Sequence, residues 1–312
     1  MSIITVTMNP SIDVSYPLEK LAIDSVNRTN QVLKTAGGKG LNVTRVLRQF
    51  DAPVKATGVL GGYFGEFIKE KLKKENIEHA FSEIGDETRS CIAILHEGKQ
   101  TEILESGPEV TEEEQDKFLQ NYEDLLKEAT FVTISGSLAK GINNAFYTEL
   151  IKRAKQSDVK VLLDTSGETL GTSLSNEKPF LIKPNEDEIS QLVGKEITSE
   201  QVLIQLLEKS LFQGIEWIVI SLGSKGAFIK HNEQCYRIKI PKIKTKNPVG
   251  SGDSTIAGLA FALYENMNPI EVMKTGMTAG MLNAQEEKTG DINIENFDYL
   301  YNQIEIEKIK ID

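Results

Sequence analysis

The sequence predicts an α/β fold, in which helices cover both faces of a doubly wound, mostly parallel sheet. Short strand-like runs alternate with amphipathic helical runs along nearly the whole chain, and this alternation is typical of βαβ units. Two glycine-rich turns, at residues 37–42 and 250–253, each precede a helical run. Because ligands bind beyond the carboxyl ends of the strands in such sheets, we expect both turns to meet at one edge.

The individual elements follow from hydrophobic spacing. Strands are predicted where short runs are apolar or alternate, at residues 3–8, 26–35, 54–60, 88–95, 100–105, 131–135, 159–164, 180–183, 217–222 and 238–247. Helices are predicted at residues 43–50, 64–74, 111–128, 144–156, from Ser254 onward, at 269–285, and briefly in the tail from Glu295.

Residues 88–95 and 100–105 flank a short turn that contains Gly98, which indicates a β-hairpin. A hairpin interrupts the helix–strand alternation, so we expect it to lie outside the main sheet. With residues near 14–35 it is predicted to form a small accessory sheet, a lid made from about residues 14–35 and 88–105. Exposed lid edges would favour pairing into a homodimer.

Composition limits the classes of partner. The 312-residue chain has no visible linker or repeat, so we expect a single domain over residues 1–312. A net charge of −11 argues against nucleic acid and against an anionic membrane surface as partners. An anionic substrate must therefore be held by local cations, for which Lys39, Arg89 and Lys183 are the candidates.

Cysteine, histidine and the chain start suggest a cytoplasmic protein. Cys91 and Cys235 form no CxxC pattern, and the three histidines lack metal-ligand spacing. Residues 1–5 lack the basic start and cleavage site of a signal peptide, and no apolar run approaches membrane-spanning length.

The turn Gly250-Ser251-Gly252-Asp253 has the features of an anion site. Its glycines leave backbone N–H groups free to converge, beside the positive end of the next helix. Asp253 adds a carboxylate that could take a proton from an attacking hydroxyl, as phosphoryl transfer to an alcohol requires. The alternative is an ordinary turn in which Asp253 only stabilises the helix start. Neither the Walker pattern nor GxGxxG is present.

The other turn, with Gly37, Gly38, Lys39 and Asn42, is a second candidate anion site. Its alternative is a flexible helix entry with a solvated lysine. Asp13 follows the first predicted strand and is expected in a turn at the same edge, where it binds ligand or only stabilises the turn.

Two further groups have both a structural and a functional interpretation. Asn185 and Glu188 have the spacing of a helix capping box, and the same face could hold Mg²⁺ through waters. Lys183, just before them, would lie near nucleotide phosphates. Arg89 could bind a phosphate with its forked donors or be a solvated surface arginine.

The runs N-P-x-G-S-G-D-x-x-x-A-G (residues 247–258) and G-G-x-G-x-N-x-T (residues 37–44) resemble the two signatures of the PfkB, or ribokinase-like, sugar kinases. The resemblance covers essentially the full length. The sequence departs from the family at Asp51, where glycine or serine is usual, and at Ala139, where proline is usual. The resemblance implies a ribokinase-like fold, ATP as phosphate donor and Mg²⁺ as the metal.

The resemblance also implies residue roles. The catalytic residues would be Asp253 with Gly250, Ser251 and Gly252. The sugar would be bound by Asp13, Gly37, Gly38, Lys39, Asn42, Arg89 and Ser137. The nucleotide would be bound by Lys183, Asn185, Ser221, Gly223, Gly226, Gly252 and Asn283. Mg²⁺ would be held through water by Asn185 and Glu188.

A lysine inside the first glycine turn looks like the branch that acts on phosphorylated ketohexoses, because a free sugar carries no anion to neutralise. Residues 87–98 and 281–286 resemble kinases of D-tagatose 6-phosphate in lactose and galactose catabolism. The alternatives are a 1-phosphofructokinase, a vitamin or nucleoside kinase of the same fold, or a non-catalytic sugar-phosphate sensor.

Overall fold

The structure is a computed structural model that describes residues 1–309. Within this range the strands, in chain order, are β1 (Ser2–Thr7), β2 (Ser11–Leu18), β3 (Leu33–Gly37), β4 (Val54–Leu60), β5 (Glu78–Glu83), β6 (Arg89–His96), β7 (Lys99–Leu104), β8 (Ala129–Ser135), β9 (Lys160–Asp164), β10 (Leu181–Ile182), β11 (Trp217–Ser221), β12 (Ala227–His231), β13 (Gln234–Lys239) and β14 (Glu305–Ile309).

The α-helices of the same range are α1 (Lys39–Gln49), α2 (Gly62–Lys74), α3 (Glu112–Leu126), α4 (Phe146–Gln156), α5 (Gly167–Asn176), α6 (Glu186–Val193), α7 (Glu200–Leu207), α8 (Ser251–Tyr264), α9 (Pro269–Ala284) and α10 (Phe297–Tyr301). None of these helices is both long and apolar enough to cross a membrane. Cys91 and Cys235 are free and buried, as expected.

The main sheet has ten strands in the order β14-β13-β12-β11-β10-β9-β8-β1-β4-β5. The seven strands from β11 to β5 pair in parallel. The strands β12, β13 and β14 extend the other edge in antiparallel pairing. The predicted doubly wound, mostly parallel α/β fold is therefore confirmed.

Helices cover both faces of this sheet. Along β11, Ile218 and Ile220 point into one core while Trp217 and Val219 point into the other, because successive side chains of a strand face opposite sides. Helices α3 to α7 contribute to the first core, and α1, α8, α9 and α10 contribute to the second. A continuous apolar strand is what burial on both faces requires.

The second sheet has four strands in the order β3-β2-β6-β7. Ile12 and Val14 of β2 pack with Ile68 and Leu72 of α2 in a third core cluster. This contact fixes the small sheet beside the carboxyl ends of the main strands, where it forms one wall of the cleft described below. We call it the lid sheet.

Several boundaries differ from those predicted. The predicted strand at 26–35 begins only at Leu33, since the side chains of Asn27 and Thr29 bond to nearby backbone and hold a local turn. The predicted strand at 238–247 ends at Lys239, just before Pro241, which cannot donate to a ladder. Asp13 lies inside β2 and not in a turn.

Both glycine turns lead into their helices earlier than predicted. Lys39 is the first residue of α1, and α8 begins at Ser251. Asp253 is therefore the third helical residue.

The sequence prediction missed β5, α5, α7 and β14. The tail, where only a short helix was predicted, also contains β14, which pairs with β13 at the sheet edge. Its last residues, 310–312, lie outside the described part of the chain.

Candidate active site

A cleft of about 530 Å³ lies between the lid sheet and the carboxyl ends of the main-sheet strands. Both glycine turns line it, the first through Gly38, Lys39 and Asn42 and the second through Gly250, Gly252 and Asp253. Lid residues, among them Asp13 and Arg89, form the facing wall.

The two turns are joined directly, because Asn42 Nδ2 donates to Asp253 Oδ2 at 2.7 Å. The expected convergence of distant turns on one crevice is thus present.

Gly250 allows the second turn to form. It is the N-cap of α8 in the left-handed conformation, with φ 82°. A Cβ there would lie 2.3 Å from Thr289 Cγ2, so only glycine fits. Beyond it, the first turn of α8 presents backbone N–H groups that have no helical acceptor. A Cβ on Gly252 would lie 3.2 Å from Lys183 Nζ, so the turn approaches that cation closely. The result is an anion-binding site with a lysine beside it.

Asp253 is 5% exposed. Burial, and secondarily the charge of Asp164, raise its pKa to about 6, although Lys39, the Asn42 hydrogen bond and Lys183 oppose this rise. At neutral pH the carboxylate is ionised. A carboxylate whose pKa lies just below the working pH is well suited to accept a proton.

Asp164 is a cleft residue that the sequence analysis missed. It ends β9, is buried, and lies with its Oδ1 3.4 Å from Lys183 Nζ. Neither carboxylate oxygen has a hydrogen-bond partner among the described residues. The sequence did contain a signal for Asp164, because an acidic residue at the end of a predicted parallel strand lies at the edge where ligands bind.

Lys39 lies at the same end of the cleft. Asp164, and then Asp253 and Glu188, raise its pKa against the opposing effect of burial. Its charged neighbours are therefore acids from β9, α8 and α6, and its expected role in binding a sugar phosphate together with Arg89 stays a prediction.

Asp13 and Arg89 are on the lid side. Ser11 Oγ donates to Asp13 Oδ1 at 2.6 Å, and burial raises the pKa of Asp13. A Cβ on Gly37 would lie 2.1 Å from the Asp13 carboxyl group, so this carboxylate needs glycine opposite it. The Arg89 guanidinium donates to the carbonyls of Glu105 at 2.8 Å and Asn9 at 3.0 Å. It is thus held rigidly in the cleft wall.

Asn185 and Glu188 form the predicted capping box of α6 and both line the cleft. Each side chain accepts from the other's backbone N–H at 2.8 Å. Ser221 also lines the cleft. Gly223 and Gly226 shape the turn between β11 and β12 but are not part of the cleft wall.

Ser137 and Asn283 are two further predicted site residues that do not line the cleft wall. Ser137 is exposed, and its Oγ accepts from Asn9 Nδ2 at 3.3 Å. Asn283 has no exposed surface. Its Nδ2 donates to Val249 O at 2.9 Å, and its Oδ1 accepts from Gly290 N at 2.8 Å. Asn283 therefore holds the Gly250–Asp253 turn from the protein interior, and its amide is not presented to the cleft for the predicted nucleotide contact.

A backbone anion site beside a buried carboxylate suits phosphoryl transfer to an alcohol, the chemistry of a phosphotransferase. Residues 4–296 match the pfkB family of carbohydrate kinases. The chain therefore belongs to this family of sugar kinases.

Solved structures agree with this assignment. A Thermotoga maritima protein described as a "possible 1-phosphofructokinase" is 26% identical, with a TM-score of 0.90 over 99% of this chain and 100% of that one. Escherichia coli phosphofructokinase-2 in complex with fructose-6-phosphate is 27% identical, with a TM-score of 0.87 over 96% of this chain and 98% of that one. The tetrameric inhibited form of the same enzyme gives the same values.

Proposed function

We propose that this sugar kinase phosphorylates D-tagatose 6-phosphate at O1 with ATP, giving D-tagatose 1,6-bisphosphate and ADP. The observation that carries the kinase chemistry is the 2.7 Å bond between Asn42 and Asp253, which joins the two turns at a buried base. The choice of sugar rests on the sequence of residues 87–98 and 281–286. A 1-phosphofructokinase is the second candidate, supported by the Thermotoga maritima structure.

In the proposed step, Asp253 accepts the O1 proton as O1 forms a bond to the γ-phosphorus. The bond from that phosphorus to the bridging oxygen breaks, and its electron pair stays on ADP. Backbone N–H groups at the start of α8 stabilise charge on the transferring group. Lys39 and Lys183 lie close enough to Asp253 for their charges to lower its pKa. Both lysines would neutralise oxygens of the transferring phosphate.

Mg²⁺ fits the acidic groups at this end of the cleft. Asp164 offers two buried oxygens with no hydrogen-bond partner among the described residues, and Glu188 lines the same cleft. No cluster of three or more metal-ligating side chains occurs within residues 1–309, as suits a cation that keeps waters and binds phosphate. Asp164, Glu188 and Asn185 would hold it directly or through water. When bound, it would neutralise charge on the phosphates.

The acceptor would occupy the lid side. Asp13, Gly38 and Asn42 line this part of the cleft and would fix the sugar hydroxyls. Arg89 is the lid-side cation proposed for the 6-phosphate, since its fork suits a phosphate group. Lys39, on the opposite side of the cleft from Arg89, would also bind the sugar phosphate where the sugar spans the cleft.

The lid sheet is also the proposed dimer contact. Its large side chains Leu33, Leu95, Ile103 and Leu104 are exposed, and β7 is an edge strand with every residue exposed. Such an edge favours pairing with another copy.

A coupled ADP-release assay tests the proposed function. It compares tagatose 6-phosphate, fructose 6-phosphate, fructose 1-phosphate and ribose at equal concentration. We expect the highest kcat/KM with tagatose 6-phosphate. A preference for fructose 1-phosphate would favour the second candidate, and no turnover with any sugar would favour a sensor.

A further inference from the structure

Arg45 has no assigned role, yet it bonds to three separate parts of the molecule. It lies on α1, three residues after Asn42, and is partly buried. Its guanidinium donates to Asn42 Oδ1, to the carbonyl of Ala36 in β3, and to the carbonyl of Thr289 at 3.2 Å. One side chain therefore connects the first glycine turn (residues 37–42), the lid sheet and the loop after α9.

The contact with Asn42 decides how its amide is oriented. An asparagine amide has an acceptor and a donor end that occupy nearly the same space. A guanidinium can only donate, so Arg45 requires Oδ1 on its own side and leaves Nδ2 to donate to Asp253. A rotated amide would instead place its oxygen against the Asp253 carboxylate, which is repulsive when that group is ionised.

The loop after α9 is packed against the same point. A Cβ on Gly290 would lie 3.1 Å from Arg45 Nε and from Asn42 Cα. The backbone N–H of Gly290 is held by Asn283, which also bonds Val249 just before the catalytic turn. Displacement of Arg45 would therefore disturb the Gly250–Asp253 turn by two routes, through Asn42 and through the loop after α9.

We propose that Arg45 is a positioning residue for phosphoryl transfer: it holds the Asn42 amide in the orientation that donates to Asp253, and it ties the lid sheet to the catalytic turn. This inference rests on the proposed role of Asp253 as the base. Arg45 does not line the cleft wall, so it would not touch the substrate.

The test measures kcat, both KM values and the pH profile of kcat/KM for Arg45→Met, Asn42→Ala and the double variant. We expect Arg45→Met to lower kcat by up to about 10²-fold, the size expected when a reacting group is misplaced. The acid limb of its profile should move to higher pH, because Asp253 loses a hydrogen bond to its ionised form. Arg45→Met should move the limb less in the Asn42→Ala background than in the parent, because only the effect of the Arg45 charge on Asp253 remains there.

Arg48→Met is the matched control, because Arg48 lies on the same helix and pairs with exposed Asp51. It should leave the profile unchanged. If Arg45→Met does not unfold cooperatively, Arg45→Lys replaces it. Arg45→Lys is then measured both with Asn42 present and in the Asn42→Ala variant.

An unchanged acid limb, or limb shifts that simply add in the double variant, would overturn the Arg45 inference. Asp253→Asn is measured in parallel. If it keeps near-normal turnover, the base assignment fails instead, so the two failures are distinguishable.

Discussion

Asp253 faces two opposing influences. Burial and the nearby Asp164 disfavour its charge, whereas two lysines and the Asn42 amide favour it. The balance leaves an acid that titrates near pH 6 while facing the cleft. Perturbed acids of this kind concentrate at functional sites.

Removing the Asp253 carboxylate should reduce turnover strongly. Asp253→Asn is expected to lower kcat by about 10²–10⁴-fold, the usual contribution of a positioned base. In the unmodified enzyme kcat/KM should fall with decreasing pH below about 6, because the protonated acid cannot accept a proton. Steady-state kinetics against pH check both expectations. Asp51→Asn, at an exposed acid, is the control, and a flat profile down to about pH 4.5 would contradict the assignment.

The same substitution should stabilise the fold. The pKa of Asp253 is raised from 3.8 to about 6 on folding, so its favourable contribution exists at low pH and is lost as pH rises through about 6. Asp253→Asn should therefore gain up to about 3 kcal/mol at about pH 7.5 and roughly half of that at about pH 5. Denaturant unfolding at the two pH values measures the difference. A variant less stable than the parent at the higher pH would contradict it.

Lys39 is expected to act on the transferring phosphate. Because its charged neighbours are Asp164, Asp253 and Glu188, Lys39→Ala should lower kcat by about 10²-fold or more, with a smaller rise in KM for the sugar phosphate. Lys117→Ala, at an exposed lysine of α3 outside the cleft wall, should have little effect. If only the KM for the sugar phosphate changed, Lys39 would instead bind the phosphate that the acceptor sugar already carries.

At the scale of elements, strong local signals predicted structure well. The capping box predicted at Asn185 is present, because its bonds are local, and the helix predicted from residue 111 begins with a capping box of its own at Thr111. The strand β5 was missed because it is an edge strand with no fully buried residue and lacks an apolar pattern. The role of β14 depends on a partner strand distant in sequence, which spacing alone does not reveal.

The end of β3 gives a prediction at this scale. Gly37→Ala would force a methyl group against the Asp13 carboxyl group. We expect a loss of about 1–3 kcal/mol in unfolding free energy, typical of overpacking, and a rise of about tenfold in KM for the sugar phosphate. Gly85→Ala is the control, since its nearest neighbour would be the Glu114 Oε1 atom at 3.6 Å. Unchanged stability and KM would show that Asp13 can move aside.

For the whole molecule, sequence patterns located the cleft but not all of its members. The two glycine turns were found because each has its own motif. Asp164 and Arg45 were missed, since their contacts with other elements, Lys183 for Asp164 and the carbonyls of Ala36 and Thr289 for Arg45, are not visible in local patterns. Asn283 and Ser137 were assigned by resemblance, and the structure places neither side chain in the cleft wall.

The lid sheet yields the prediction at this scale. If copies pair through it, Ile103→Glu on the exposed strand β7 should shift the protein from dimer to monomer, because charge on an edge strand opposes pairing. Sedimentation measures the mass, and Tyr299→Glu, at an exposed site on α10, is the control. A parent protein that is monomeric at micromolar concentration would contradict the dimer.

The hydrogen bond between Asn42 and Asp253 spans 211 positions of sequence. During synthesis the ribosome must therefore release most of the polypeptide before the proposed catalytic centre can assemble, so a chain that ends before Asp253 is expected to be inactive. By the same logic, two fragments cut between these residues would each be inert. Activity would return only when they associate, which makes the enzyme a natural basis for a split reporter.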